Sequence, residues 1–356
     1  MPWFGIGNGF VNLQQWDDSI PNRRRDGTGR HPADFYETAA NMPMSPFATL
    51  SEPALPAPAA TSLTLEHGRQ RLRLLPEFGG SIAAWEMRPD GSAAWQHLLR
   101  PWKGSSVAPA DAYTFACFPL VPWSNRIGGG GFEQAGRLYA LRPNRAGEPF
   151  PIHGDGWLQS WTIDQTGDDH IALTLTSNGF DNSPYHYRAS QRFSMGKDSL
   201  TIRLEVTHLG DDPLPYGLGL HPYFPRNAKT TLQMDTTGLW LCGDDPMPVS
   251  HTTRYPPSFD YRQPTALDGP LIDHCFTGWD GHAVISYPDR GLRLTLTMRD
   301  CNGYALMYRP PDLDFFCLEP ITHPIDAFHM PGRPGLQILA CGQSMALELV
   351  LRFQGV

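Results

Sequence analysis

Leu200-Thr201-Ile202-Arg203-Leu204-Glu205-Val206 alternates an apolar side chain with a polar one at every step. A period of two puts Leu200, Ile202, Leu204 and Val206 on one face of an extended strand and the polar residues on the other. Such a strand buries one face and wets the other, as in an antiparallel sheet lying over a core. Working outward, Leu292, Leu294, Leu296 and Met298 repeat the pattern, as do Ile171, Leu173 and Leu175 upstream. Met345, Leu347, Leu349, Leu351 and Phe353 carry it to the C-terminus. Leu63 and Leu65 alternate, His67-Gly68 can turn, and Leu72 and Leu74 alternate again, which reads as a hairpin. Turn signals lie between such runs: Gly167-Asp168-Asp169, Gly210-Asp211-Asp212-Pro213 and Pro288-Asp289-Arg290-Gly291. Helical periodicity is almost absent, and no fixed-period repeat supports a propeller or solenoid. The expected fold class is all-β, a large antiparallel β-sandwich.

Composition agrees with this reading. The 356 residues include 35 Gly and 35 Pro, which favours turns and short strands over long helices. The net charge of −8 offers no basic surface to a phosphate backbone, so no nucleic-acid partner is expected. No apolar run is long enough to cross a bilayer, and Met1–Val11 lacks the pattern of a signal peptide. The six cysteines, Cys117, Cys242, Cys275, Cys301, Cys317 and Cys341, include no C-x-x-C pair. They read as reduced thiols buried in strands, which points to a cytoplasmic protein.

Residues 1–60 stand apart. They hold Arg23-Arg24-Arg25 and the Pro/Ala-rich run Ser51-Glu52-Pro53-Ala54-Leu55-Pro56-Ala57-Pro58-Ala59-Ala60. This segment reads as an extended or disordered N-terminal extension or linker, with Met42 or Met44 as alternative starts. The arginine run reads as part of a solvated tail rather than an anion site. The sandwich domain is expected over residues 61–356.

Several short segments break the alternation and carry unusual polar residues. In Trp123-Ser124-Asn125-Arg126-Ile127-Gly128-Gly129-Gly130-Gly131, an Asn-Arg pair precedes four glycines. Arg126 offers a planar fork of donors suited to hydroxyls or a carboxylate, and the glycines would let backbone approach a ligand. The plainer reading is a hairpin loop with a surface arginine. No Lys-Ser/Thr follows, so this is not a phosphate loop. His153 lies in Pro151-Ile152-His153-Gly154-Asp155-Gly156-Trp157, and His221 in Gly219-Leu220-His221-Pro222-Tyr223-Phe224. Either could be a hydrogen-bonded structural histidine. Glu319 closes the apolar run Phe315-Phe316-Cys317-Leu318 ahead of Pro320. A half-buried carboxylate there would have a raised pKa and suit a general base; the bland alternative turns it out to solvent at the strand end. Asp273, in Leu271-Ile272-Asp273-His274-Cys275-Phe276, either accepts from a ligand's hydroxyls or caps a turn. Trp123, Trp157, Tyr223 and Phe224 offer apolar faces to a ligand or to the core.

Taken in order, Asn125-Arg126-Ile127, His153-Gly154, His221-Pro222-Tyr223-Phe224, Asp273 with Phe276, and Glu319-Pro320 with Asp326-Ala327 resemble the aldose 1-epimerase (galactose mutarotase) family. The likeness runs from about Thr61 to the C-terminus and is nearest to a less-studied bacterial branch. The resemblance implies a large antiparallel sandwich with a sugar cleft on one concave sheet. It implies Glu319 as general base, His221 as general acid and His153 as a second active-site histidine. It implies Arg126 and Asp273 as sugar-binding residues, with Asn125 assisting the arginine. Phe328 departs from the family pattern, standing where Asn is common. The first histidine motif is also shorter than in galactose-specific members.

Mutarotation needs a base at the anomeric hydroxyl and an acid at the ring oxygen, so no metal and no redox cofactor is expected. A carboxylate and an imidazolium, placed on opposite sides of one sugar-sized hollow, would form that pair. The expected partner is a small-molecule sugar, with no membrane association and a monomer or homodimer as the assembly. Three other readings remain open from the residues. A hexose-6-phosphate epimerase would need a basic cluster, for which Arg126 and Arg226 are the candidates. A carbohydrate-binding sandwich would lack catalysis. A metal-dependent isomerase would use His153, His221 and Glu319 as ligands.

Overall fold

A computed structural model describes residues 62–104 and 111–355. The extension expected over residues 1–60 lies outside the described residues.

Two large antiparallel sheets dominate. The first has nine strands in the order Thr265–Ala266, Thr231–Met234, His282–Tyr287, Leu292–Arg299, Ser344–Gly355, Ser199–His208, His186–Gly196, His170–Asn178 and Thr162–Thr166. Its central strands are the alternating segments of the sequence. Leu200, Ile202, Leu204 and Val206 are fully buried, while Arg203 between them is exposed. Leu351 pairs with Leu200 on one side and with Leu296 on the other, so the apolar faces of three strands coincide.

The second sheet has eight strands. Its path runs Pro248–Thr252, Gly238–Cys242, Ile272–Thr277, Tyr304–Arg309, Phe315–Ile321, Gly219–Leu220 and Pro119–Leu120, and Tyr223–Pro225 pairs with Phe315–Ile321 as well. A four-stranded sheet begins with the expected hairpin, Leu63–His67 against Gln70–Leu75, turning at Gly68 with φ +59°.

Around Phe315–Ile321 the second sheet is buried on both faces, and the two faces differ. Phe316, Leu318, Met307, Ile272 and Phe276 join Leu294, Leu296, Leu347 and Leu349 of the nine-stranded sheet in the main core. The opposite face presents Cys317, Ile321, Leu306 and Cys275 to a second apolar cluster, built with Phe115, Phe118, Trp157 and Tyr223. Glu319 shares this second face, since side chains two apart on a strand point the same way. Burial on both faces explains why Phe315–Ile321 reads as a continuous apolar run rather than an alternating one.

All six cysteines are free; Cys117, Cys275 and Cys317 are buried, Cys242 and Cys301 half-buried, and Cys341 exposed. The expectation of buried thiols thus fails at Cys341, which sits in the turn ahead of Ser344–Gly355. No helix among the described residues is long and apolar enough to cross a membrane.

Candidate active site

Glu319 lies in the middle of its strand and is 1% exposed. This corrects the half-buried strand-end placement read from the sequence: segments outside the sheet cover the face on which it lies. His221 follows the two-residue strand Gly219–Leu220, which pairs with Ile321 on one side and Leu120 on the other. That register brings the imidazole Nε2 to 3.2 Å from Oε1 of Glu319. Oε2 of Glu319 is buried and has no hydrogen-bond partner. Burial raises the Glu319 carboxyl well above its usual range, with the charge of Asp273 next in importance. Burial likewise holds the His221 imidazole down to about 3. Both shifts disfavour the carboxylate–imidazolium form expected from the sequence. Burial thus favours a neutral imidazole beside a carboxylic acid, with one proton shared between them. The two groups also lie side by side rather than on opposite sides of a hollow.

Aromatic rings fix the imidazole. Phe118 stacks on one side of His221 at 4.5 Å between centroids and Tyr223 stacks on it at 4.7 Å, both pairs within 21° of parallel. Behind Tyr223, the Arg100 guanidinium lies 3.7 Å from that ring's centroid. Tyr113 meets His221, His153 and Trp157 edge-on or tilted, at 5.7 to 6.1 Å.

His153 is placed by a second device. Arg126 bridges to Ile152, and Gly154 bridges to Val121, which ties the histidine segment to the Asn125-Arg126 segment. Asn125 and His153 both have positive φ, +55° and +61°. That conformation is uncommon for non-glycine residues and is held here by a reciprocal pair of bonds. His153 N donates to Asn125 O, and Asn125 N donates to His153 Nδ1, each at 3.0 Å. A ring nitrogen that accepts from a backbone N–H carries no proton, so His153 is the neutral Nε2–H tautomer. Burial, then the nearby His221, lower its pKa well below the usual value, in agreement. The His153 and His221 rings are 5.3 Å apart.

Arg126 and Asp273 also converge here. Arg126 Nη1 lies 3.5 Å from Asp273 Oδ2. The rest of its fork is taken by Glu148: Nε donates to Oε2 at 3.0 Å and Nη2 to Oε1 at 3.1 Å. Asn125 Oδ1 accepts from the Arg126 backbone N–H at 2.9 Å and lies 3.4 Å from Nη1. Burial raises the Asp273 carboxyl.

Trp157 and Tyr223 join the cluster on the Glu319 face, whereas Trp123, Phe224 and Phe328 pack into the main core. Phe328 contacts Phe132 at 4.9 Å and Trp123 at 6.5 Å. The glycines after Ile127 turn the chain into the hairpin Gly131–Gln134 and Arg137–Ala140. A Cβ at Gly131 would meet Tyr139 O at 2.1 Å. Arg226 is spent on the carbonyls of Leu267, Pro310, Pro311 and Leu313, so it belongs to no phosphate site. Among the described residues no group of three His, Cys, Asp or Glu side chains is arranged to hold a metal.

A family profile described as aldose 1-epimerase matches residues 61–352. The uncharacterized protein YphB of Escherichia coli K12 is 36% identical over 301 residues, which is 83% of this chain and 99% of that one. A solved structure from Escherichia coli K12, carrying the working assignment aldose 1-epimerase, is 34% identical with a TM-score of 0.76, covering 83% of this chain and 99% of its own. A galactose mutarotase-like protein from Clostridium acetobutylicum shares the fold at 16% identity, with a TM-score of 0.73 over 83% of this chain and 95% of its own.

Proposed function

The chain belongs to the aldose 1-epimerase family, and from that premise we propose that it interconverts the α and β anomers of a free aldose by acid–base ring opening and closure. The observation that carries this reading is the buried Glu319–His221 contact at 3.2 Å, with one carboxylate oxygen left without a partner. The anomeric hydroxyl and the ring oxygen are bonded to the same carbon, so a base and an acid that touch each other can serve both. Glu319 passes its proton to His221, which protonates the ring oxygen, and the carboxylate so formed takes the proton of the anomeric hydroxyl. The ring C–O bond breaks to give an aldehyde, rotation about the adjacent C–C bond exposes its other face, and the reverse transfers close the other anomer.

The proton count is conserved. Glu319 and His221 together hold one proton before binding and one after release, so each turnover begins and ends in the same state. Positioned acid and base groups of this kind contribute roughly 10²–10⁴-fold each. In the same reading His153, fixed as the Nε2–H tautomer, donates a hydrogen bond without changing its charge. Arg126, Asn125 and Asp273 orient the hydroxyls, and Trp157 and Tyr223 close the apolar side.

Polarimetry with freshly dissolved single-anomer hexoses and pentoses tests the proposal. The wild type should speed the approach to equilibrium rotation for at least one sugar. Glu319→Gln should lower kcat by about 10²–10⁴-fold while leaving sugar binding measurable. A wild-type rate in Glu319→Gln would instead favour a non-catalytic sugar-binding sandwich.

A further inference from the structure

Resting on the free-sugar reading above, we propose that Glu148 is a specificity determinant that bars anionic sugars from the cleft. Glu148 lies in the irregular stretch between Arg137–Ala140 and Ile152, and its side chain is 14% exposed. It occupies two of the three guanidinium nitrogens of Arg126, at 3.0 and 3.1 Å. The third nitrogen faces Asp273 at 3.5 Å. Arg145, the neighbouring cation, is drawn to the same carboxylate: its Nη1 lies 3.5 Å from Glu148 Oε1. Its Nη2 lies 3.9 Å from Asp111, and its guanidinium lies 3.6 Å from the Tyr113 ring centroid.

Two arginines thus meet three carboxylates beside the Glu319–His221 pair. A sugar carboxylate or phosphate is held best by an open arginine fork, which donates two parallel hydrogen bonds. Here that fork is already filled by Glu148. An anionic sugar would have to displace it and then sit beside the carboxylates of Glu148 and Asp273. Hydroxyls of an uncharged sugar meet no such opposition, because Asp273 accepts from them and Arg126 can donate while still paired. Exclusion by a like charge is a common means of discrimination where the attractive contacts of two ligands are otherwise the same.

The test pairs a neutral sugar with charged relatives of the same ring: D-glucose against D-glucuronate and D-glucose 6-phosphate. Dissociation constants by calorimetry and anomerisation rates are measured for wild type, Glu148→Gln and Glu148→Asp. The wild type should prefer the neutral sugar. Glu148→Gln, which keeps an acceptor oxygen but removes the charge, should narrow that preference by at least about tenfold, with the gain shrinking in high salt. Glu148→Asp retains the charge and should stay near the wild-type ratio. An unchanged ratio in Glu148→Gln, a wild type that prefers the anionic sugars, or an Asp variant that shifts as far as the Gln variant would each overturn the assignment. A wild type that binds glucose preferentially yet anomerises nothing would overturn the catalytic reading alone, since the binding ratio still reports on Glu148.

Discussion

His221 stacks against the rings of Phe118 and Tyr223, and Arg100 lies over the second of them. Burial is the main cause of its depressed pKa, with the charges of Arg100 and Arg145 also acting to lower it. The sign for activity follows. In the proposed mechanism a Glu319–His221 pair with one shared proton is competent, and a second proton disables it. Because His221 sits near 3 and Glu319 is raised, kcat/KM should be flat through pH 6.5, with the acid limb well below the usual imidazole value. Polarimetric rates between pH 4 and 8, corrected for the spontaneous reaction, measure this. Arg100→Met should move the acid limb toward higher pH, and Arg100→Lys should restore it, which a purely structural loss would not do. Glu319, His221, His153, Arg126, Asn125, Asp273, Trp157 and Tyr223 were all legible as candidates, because each interrupts an apolar run or sits beside Gly or Pro. Glu148, Tyr113 and Arg100 were not. They lie in irregular stretches where a single charged or aromatic residue carries no period, and only the fold brings them to the other candidates.

At the scale of elements, the two sheets were unequally legible. The nine-stranded sheet has one wet face, so its strands announce themselves by alternation. The eight-stranded sheet is covered on both faces around Phe315–Ile321, and two strands beside Glu319, Gly219–Leu220 and Pro119–Leu120, are two residues long. Neither length nor period marks such pieces. The segment from Ile152 to Trp157 holds only two isolated bridges and the start of a 3-10 turn, yet it places His153, and Gly154 is its pivot. Gly154 has φ +65°, and a Cβ there would meet Val121 O at 2.1 Å. Backbone cannot yield as a flexible side chain can. Gly154→Ala should therefore push the segment away from Val121, misplace His153, and lower kcat by more than about tenfold with a Tm loss of several degrees. Thermal melts and polarimetry on the one variant read both effects. Two side chains downstream of Glu319, His323 and Asp326, hold backbone of the Asn125-Arg126 segment in place. His323 Nε2 accepts from Ser124 N at 3.0 Å, and Asp326 Oδ1 accepts from Gly128 N at 2.9 Å.

For the whole molecule, the same segment is coupled to global stability through Asp155. This carboxyl is buried, accepts a hydrogen bond from the Tyr187 hydroxyl of the nine-stranded sheet, and leaves Oδ2 without a partner. Burial pushes it up to about 7. A folded-state pKa above the unfolded value means the native state holds a proton that the unfolded chain has released. The stability Asp155 contributes is thus complete below about pH 4, falls as pH rises toward 7 and is gone above it, with a slope of up to about 1.4 kcal/mol per unit. Asp155→Asn cannot ionise. Its Tm relative to wild type should rise between pH 4.5 and 8, as followed by calorimetry across that range.

The strand Phe315–Ile321 is in effect a partition wall. Even-numbered Phe316 and Leu318 face the main core, while odd-numbered Cys317 and Glu319 face the second cluster, where the proposed acid–base pair lies. Drift at the odd positions can retune the reaction with little charge on the core, and drift at the even ones does the reverse. Parity is also the weakness of the arrangement. One inserted residue upstream of Glu319 in this strand would exchange the two ledgers at once, sending the carboxylate into the oily interior and a leucine into the cleft.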